Sequence, residues 1–217
     1  MNRSTEFRPS DPSTPTNKDK PDKARAILAG ALQVFTAHGY AAASMDRIAA
    51  AAKVSKPTLY NYFQDKETLF VALMQQLTQN SRQVILDLPT DLDLQAPPEQ
   101  VLRQIATSVL EEFSHNPSLL TLMRLLIGES ERFPALSQTF VRETVKPLME
   151  RLSFYLASQS QLQLPDPPVA ARIFAGAIVH YLILQHIMHG ETILPLERDR
   201  MVDGLIQLVV AAGEAQR

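Results

Sequence analysis

Cysteine is absent from the 217 residues, so no disulfide framework or thiol chemistry operates here, and the chain suits a reducing cytosol. Tryptophan is absent as well, and glycine is scarce, with seven residues and no glycine-rich phosphate loop. Strand-like alternation of any length is missing, which excludes a sheet-built fold. The most apolar run, residues 173–184, falls short of the ~20 residues a membrane span needs and contains His180. No apolar signal segment opens the chain. Residues 1–21 are instead rich in Ser, Thr, Pro and Asn and read as a disordered tail. A strong charge of one sign is also lacking: the net charge of −2 excludes a bulk nucleic-acid coat protein.

What is present is a helical pattern with one unusual segment, Ser55-Lys56-Pro57-Thr58-Leu59-Tyr60-Asn61-Tyr62-Phe63. Ser55 is a good N-cap, and Pro57 is tolerated in a first turn, where its missing N–H has no partner to lose. Leu59 and Phe63, four apart, share one face and can anchor the helix to a core. Lys56, Thr58, Tyr60 and Asn61 are then left outward, a mixture of cation, hydroxyl and amide that can bond base edges and phosphates. Upstream, Ser44 caps a second short helix, with Arg47 where a reciprocal cap would have Glu or Gln. Lys53-Val54 leaves room only for a tight turn. Two short helices so joined are a helix-turn-helix, the second reading a major groove while the first crosses the backbone. Before them Ile27, Leu28, Ala31, Leu32, Val34 and Phe35 recur at helical spacing up to Gly39. Residues 23–67 carry six cations and three acids, a local +3 within a chain that is otherwise net acidic.

These residues resemble the DNA-binding domain of the TetR/AcrR family of bacterial regulators. The resemblance spans residues 23–70, through Ala31-Leu32-Gln33-Val34-Phe35, His38-Gly39-Tyr40, Ser44-Met45-Asp46-Arg47-Ile48-Ala49, Val54-Ser55, Pro57 to Phe63, and Lys66-Glu67-Thr68-Leu69. It implies an all-α protein with an N-terminal three-helix helix-turn-helix domain, residues 22–67. A C-terminal helical bundle for regulation and dimerisation follows, residues 68–217. With exposed placement, the match implies DNA contacts from Ser44, Ser55, Lys56, Pro57, Thr58, Tyr60, Asn61, Tyr62 and Lys66. Lys56 and Thr58 would reach base edges; Ser44, Tyr62 and Lys66 would hold phosphates; Tyr60 and Asn61 can do either.

Beyond the head the pattern stays helical. Asp65 caps a helix running towards Leu86, and residues 88–98 form a Pro- and Asp-containing connector. Helices then cover residues 99–115, 117–127 after an Asn116-Pro117 start, and 134–158, with Pro147 kinking or dividing the last. A further helix opens at Pro165 to Pro168 and ends at Gly190, and the final one opens at Pro195. Residues 170–188 are apolar on nearly every face, which predicts one side on the chain's own core and another on a second copy.

Catalytic and metal readings find little support. His180, His186 and His189 share a helix, but no cysteine or second acidic ligand joins them, so no metal is expected. Glu111-Glu112 point to different helix faces, Ser108 and His115 lack an orienting acid, and no cofactor motif occurs. Following the resemblance, an effector pocket is expected in the second domain, lined by Phe113, Met123, Phe140 and Tyr181 with Arg124 and His180 as polar contacts. Phe133, Phe154, Phe174 and Met188 are further apolar candidates, and Gln185 a polar one. Such a wall suits a small hydrophobic or amphipathic molecule. The expected protein is a cytoplasmic, homodimeric repressor released from double-stranded operator DNA by its effector, with no membrane partner. An activator, a regulator without ligand response, and an all-helical enzyme or adaptor with a vestigial head are the alternatives.

Overall fold

The structure, a computed structural model, describes residues 19–86 and 96–214. The tail expected over residues 1–21 and the connector over residues 88–98 lie largely outside them. The chain forms two compact units, one reaching Leu73 and the other beginning at Met74. Among the described residues every regular element is helical.

The first unit contains α1 (Asp19–Ala42), α2 (Met45–Ala51), α3 (Lys56–Tyr62) and the start of α4 (Lys66–Leu86). Helix α1 does not simply stop at Gly39. It breaks there at φ 69°, ψ 172° and resumes for one turn, a backbone state open to glycine because it has no Cβ. Ser44 caps α2 by accepting the Arg47 N–H at 3.3 Å, the simple cap its sequence implies. The α2–α3 turn places Lys53 in the left-handed region at φ 55°. Ile27, Ala31, Phe35, Ile48, Leu59 and Phe70 are fully or almost fully buried and form the centre of this unit. Phe70 meets Phe35 edge-on at 5.1 Å between ring centroids and Tyr40 at 4.9 Å. Close approach of α1 to the end of α2 depends on Gly30, where an added Cβ would stand 2.7 Å from the Ala52 backbone nitrogen.

The second unit is organised by α5 (Pro98–His115), α8 (Lys146–Ser158), α9 (Pro167–Leu182) and α10 (Arg198–Glu214). Leu102, Leu110, Leu156, Phe174, Leu182 and Ile206 are among its buried centre. Arg103 on α5 forms an ion pair with Asp203 on α10. Helix α6 (Pro117–Gly128) starts at Pro117 as expected, yet Asn116 makes no side-chain cap. Its amide donates back to Glu112 instead.

The helix expected over residues 134–158 is divided into α7 (Pro134–Phe140), a π-helical turn (Val141–Val145) and α8. The wider turn ends with the Lys146 N–H donating to the Val141 carbonyl, five residues back. Pro147 follows at once; having no N–H and crowding the carbonyl four residues back, it makes a change of register here inexpensive. Helix α9 likewise passes into a π-helical turn (Ile183–Ile187) and ends before the expected Gly190. His189 adopts φ 55°, and the chain folds back so closely that a Cβ on Gly190 would lie 2.7 Å from the Leu184 carbonyl oxygen. The last helix opens at Arg198, three residues beyond Pro195. By length and composition alone, the 21 residues Pro167–Ile187 could cross a membrane, a longer stretch than the apolar run over residues 173–184; little of it is buried within the chain.

Candidate nucleic-acid interface

Helix α3 is held by one end and one face. Ser55 Oγ accepts the Thr58 N–H at 3.2 Å and lies 2.7 Å from the Thr58 hydroxyl, so cap and first turn are locked together. Leu59 is completely buried, and Phe63, at the helix end, is half-buried. The opposite side carries Ser55, Lys56, Pro57, Tyr60 and Asn61, all exposed, with Thr58 and Tyr62 half-buried at its margins. Ser44 is exposed at the start of α2. One outward surface of hydroxyls, an amide and a cation results, which is chemically what base edges and phosphates accept.

Two of the cations are already engaged. The Lys56 ammonium lies 2.7 Å from the Asp46 carboxylate, across the two helices of the motif. Hydrogen bonding to Asp46, followed by its charge, raises the Lys56 pKa. Lys66, expected to hold a phosphate, donates to the carbonyls of Tyr40, Ala41 and Ala43 at 2.8, 3.2 and 3.0 Å. It also lies 4.5 Å from the Tyr40 ring centroid. An ammonium has three donors, and here each has an acceptor inside the protein. Neither arrangement was foreseen from the sequence, because each joins elements whose relative placement only the fold decides.

Asp65 caps α4 as expected, accepting the Thr68 N–H at 2.8 Å. The Thr68 side-chain oxygen accepts the Asp65 N–H in return, so this cap is reciprocal. The Thr68 hydroxyl, and then its backbone N–H, hold the Asp65 carboxyl below its ordinary value. A depressed folded value means this cap contributes fully above the ordinary carboxylate pKa and is lost as pH falls through the lowered one.

The residues expected to line an effector pocket are partly gathered. Phe113 and Tyr181 both lie against the core of the second unit, and burial raises the Tyr181 phenol. Arg124 on α6 donates to the His186 carbonyl at 2.8 Å, and the Tyr181 ring meets the His186 ring edge-on at 6.0 Å. Met123 and Phe140 are half-buried, whereas His180 is exposed. Phe154 and Met188, also considered as lining, are 71% and 65% exposed and belong to the surface. Gln185 is buried and donates to the Leu194 carbonyl. Thr144, in the first π-helical turn, was not anticipated; it is buried with its hydroxyl unpartnered.

Two family descriptions match this chain. "Bacterial regulatory proteins, tetR family" covers residues 27–73, and "AefR-like transcriptional repressor, C-terminal domain" covers residues 100–213, more than half of the chain. The chain belongs to the TetR family. The HTH-type transcriptional regulator YvkB of Bacillus subtilis is 27% identical over 203 residues, spanning 90% of this chain and 96% of YvkB. The flavonoid-responsive regulator FrrA is 29% identical with a TM-score of 0.60, covering 90% of this chain and 95% of FrrA. A TetR-family regulator from Mesorhizobium loti is 25% identical with a TM-score of 0.64, covering 91% and 98%. This is therefore a TetR-family DNA-binding transcriptional regulator, and its relatives are regulators rather than enzymes.

In this TetR-family head, Lys66→Met should keep the aliphatic stem while leaving three carbonyls without their cation. The head is expected to lose about 1.5–3 kcal/mol, the range for hydrogen bonds to a charged group. Urea unfolding followed by circular dichroism measures that loss. The salt slope of DNA binding should not change, since the ammonium is committed within the protein. A slope lower by about one would mean that DNA draws Lys66 onto a phosphate.

Proposed function

We propose that this TetR-family chain is a homodimeric repressor in the cytoplasm, released from double-stranded operator DNA by a small hydrophobic or amphipathic effector. The observation that carries it is the surface of α3, where Lys56, Tyr60 and Asn61 project outward around the buried Leu59 anchor. Lys56 and Thr58 are assigned to base edges, with Ser55 and Pro57 fixing the helix start. Ser44 and Tyr62 are assigned to phosphates, Tyr60 and Asn61 to either. Lys66 would take a phosphate only by giving up a carbonyl. The division expected from the sequence, a tail over residues 1–21, a head over 22–67 and a regulatory domain over 68–217, remains part of this reading.

Pairing is supported by the last helices. Ile173 on α9 and Leu208 on α10 are 62% and 73% exposed, with Val169 and Val179 also at the surface. Gly176 and Gly204 interrupt the same two helices although a Cβ at either would meet nothing within 4 Å. A glycine inside a helix costs about 1 kcal/mol relative to alanine, and a partner helix approaching closely supplies the reason that this chain alone does not. Two recognition helices also double the length of DNA read.

The repressor reading is supported by the family description matching residues 100–213. FrrA, described as flavonoid-responsive, supports a small-molecule trigger. The effector would contact Phe113, Met123, Arg124, Phe140 and Tyr181, with His180 at the margin. Helix α4, which carries residues of both units, is the relay. Release requires the effector to prefer the arrangement that does not fit the operator, since equal affinity for both would shift nothing.

The test begins with a duplex enriched from a random-sequence pool by the intact protein. Lys56→Ala should relax sequence preference, by about 1–3 kcal/mol at the base it reads. In a screen of hydrophobic compounds, those that raise the melting temperature should weaken operator binding by ~1–3 kcal/mol. Compounds that bind without changing operator affinity would refute effector release. Failure to enrich any duplex would refute the reading as a whole.

A further inference from the structure

Asp46 is the only acid in residues 44–62, the stretch that carries the reading surface. An acid there repels phosphate, so its presence calls for a return. Part of that return is local, because a carboxylate in the first turn of α2 favours the helix dipole. The remainder is the 2.7 Å ion pair with Lys56 on α3. Both side chains are more than half exposed, at 67% for Asp46 and 56% for Lys56, so no buried wall enforces their contact. Lys53 and Arg47 are the other cations of this stretch. Arg47 donates to the Ala42 carbonyl, which leaves the pairing of Asp46 with Lys56 as the charge contact that spans the motif.

We propose that Asp46 is a specificity-determining residue, holding the Lys56 ammonium on the protein until a matching base edge takes it. The proposal rests on the DNA-binding reading above and deepens it. On non-cognate DNA, moving Lys56 to a phosphate breaks a good ion pair and leaves a carboxylate facing the phosphate backbone. On cognate DNA, guanine presents two acceptors, O6 and N7, that replace the carboxylate directly. The exchange therefore taxes every sequence except the one that compensates for it. Non-specific binding, which depends almost wholly on cations neutralising phosphates, is the quantity most reduced.

The experiment measures two duplexes by fluorescence anisotropy over a salt series: the one enriched from the random pool, and unselected random-sequence DNA. The intact protein is compared with Asp46→Asn, Lys56→Ala and the double variant. Asp46→Asn is expected to bind random DNA about two- to five-fold more tightly, the range of an exposed ion pair. Its salt slope on random DNA should steepen by about one as Lys56 becomes free to neutralise a phosphate. Operator affinity should change less, so the specificity ratio falls. The gain on random DNA should vanish when Lys56 is alanine.

A gain that persists in the double variant would mean simple loss of a negative charge, and the proposal would be overturned. Equal weakening on both duplexes would show that Asp46 serves only the α2 terminus. Asp46→Ser, a second neutral polar replacement in the first turn of α2, should reproduce the behaviour of Asp46→Asn, and the circular-dichroism melting of each variant separates that outcome from a misfolded head. A wild-type protein that enriches no duplex would instead remove the DNA-binding reading itself.

Discussion

Ile173→Glu is expected to convert the proposed dimer into a monomer and to abolish tight operator binding. Ile173 stands 62% exposed on α9, where the proposed partner would cover it. Burying an unpaired carboxylate there costs several kcal/mol, so the dimer dissociation constant should rise by at least about a hundred-fold. Sedimentation velocity reads the change directly. Operator affinity should fall with it, because a lone head reads only half a site. Ile127→Glu is the matched control: Ile127 is 58% exposed on α6, a helix outside the proposed pairing of α9 and α10, and its variant should sediment as wild type. An Ile173→Glu protein that remains dimeric would place the interface elsewhere. Ala177, also within the all-round apolar stretch of residues 170–188, lies against the core of its own chain. A charge at Ala177 would damage folding and association together and distinguish neither.

Phe70→Ala should dismantle the reading head while sparing the second unit. Phe70 is almost completely buried at the start of α4 and contacts both Phe35 and Tyr40. Truncating a buried phenylalanine costs about 3–5 kcal/mol, a large part of what a unit this small has available. Hydrogen exchange should show the α2 and α3 amides losing protection while those of α8 and α9 keep theirs. DNA binding should disappear even though every proposed contact residue is intact. Unchanged protection in α2 and α3 would mean that the rings do not anchor the head.

The local elements were legible because their causes are local. Ser44, Ser55 and Asp65 lie next to the amides they cap, so a few residues of sequence suffice to place three helix starts. Pro147 announced a break in the long helix, although not that the break would be a π-helical turn, since that depends on how the preceding carbonyls are taken up. Asn116 was the local exception. Its side chain had a competing acceptor in Glu112 one turn back, and took it.

By itself, then, the sequence determined an all-helical chain, the helix-turn-helix, and the residues its second helix turns outward around Leu59. Periodicity and capping act over three or four residues and need no knowledge of what lies opposite. Only tertiary structure decided which charges meet. Asp46 and Lys56 are ten positions apart on different helices, and Lys66 reaches carbonyls more than twenty residues away. It also decided which side of α9 is inward. The pattern of residues 170–188 is apolar all round, and a periodicity without a polar face cannot say whether Ala177 or Ile173 looks towards the core. That choice belongs to α8 and α10, whose packing buries Phe174 and Ile178 and leaves Ile173 at the surface.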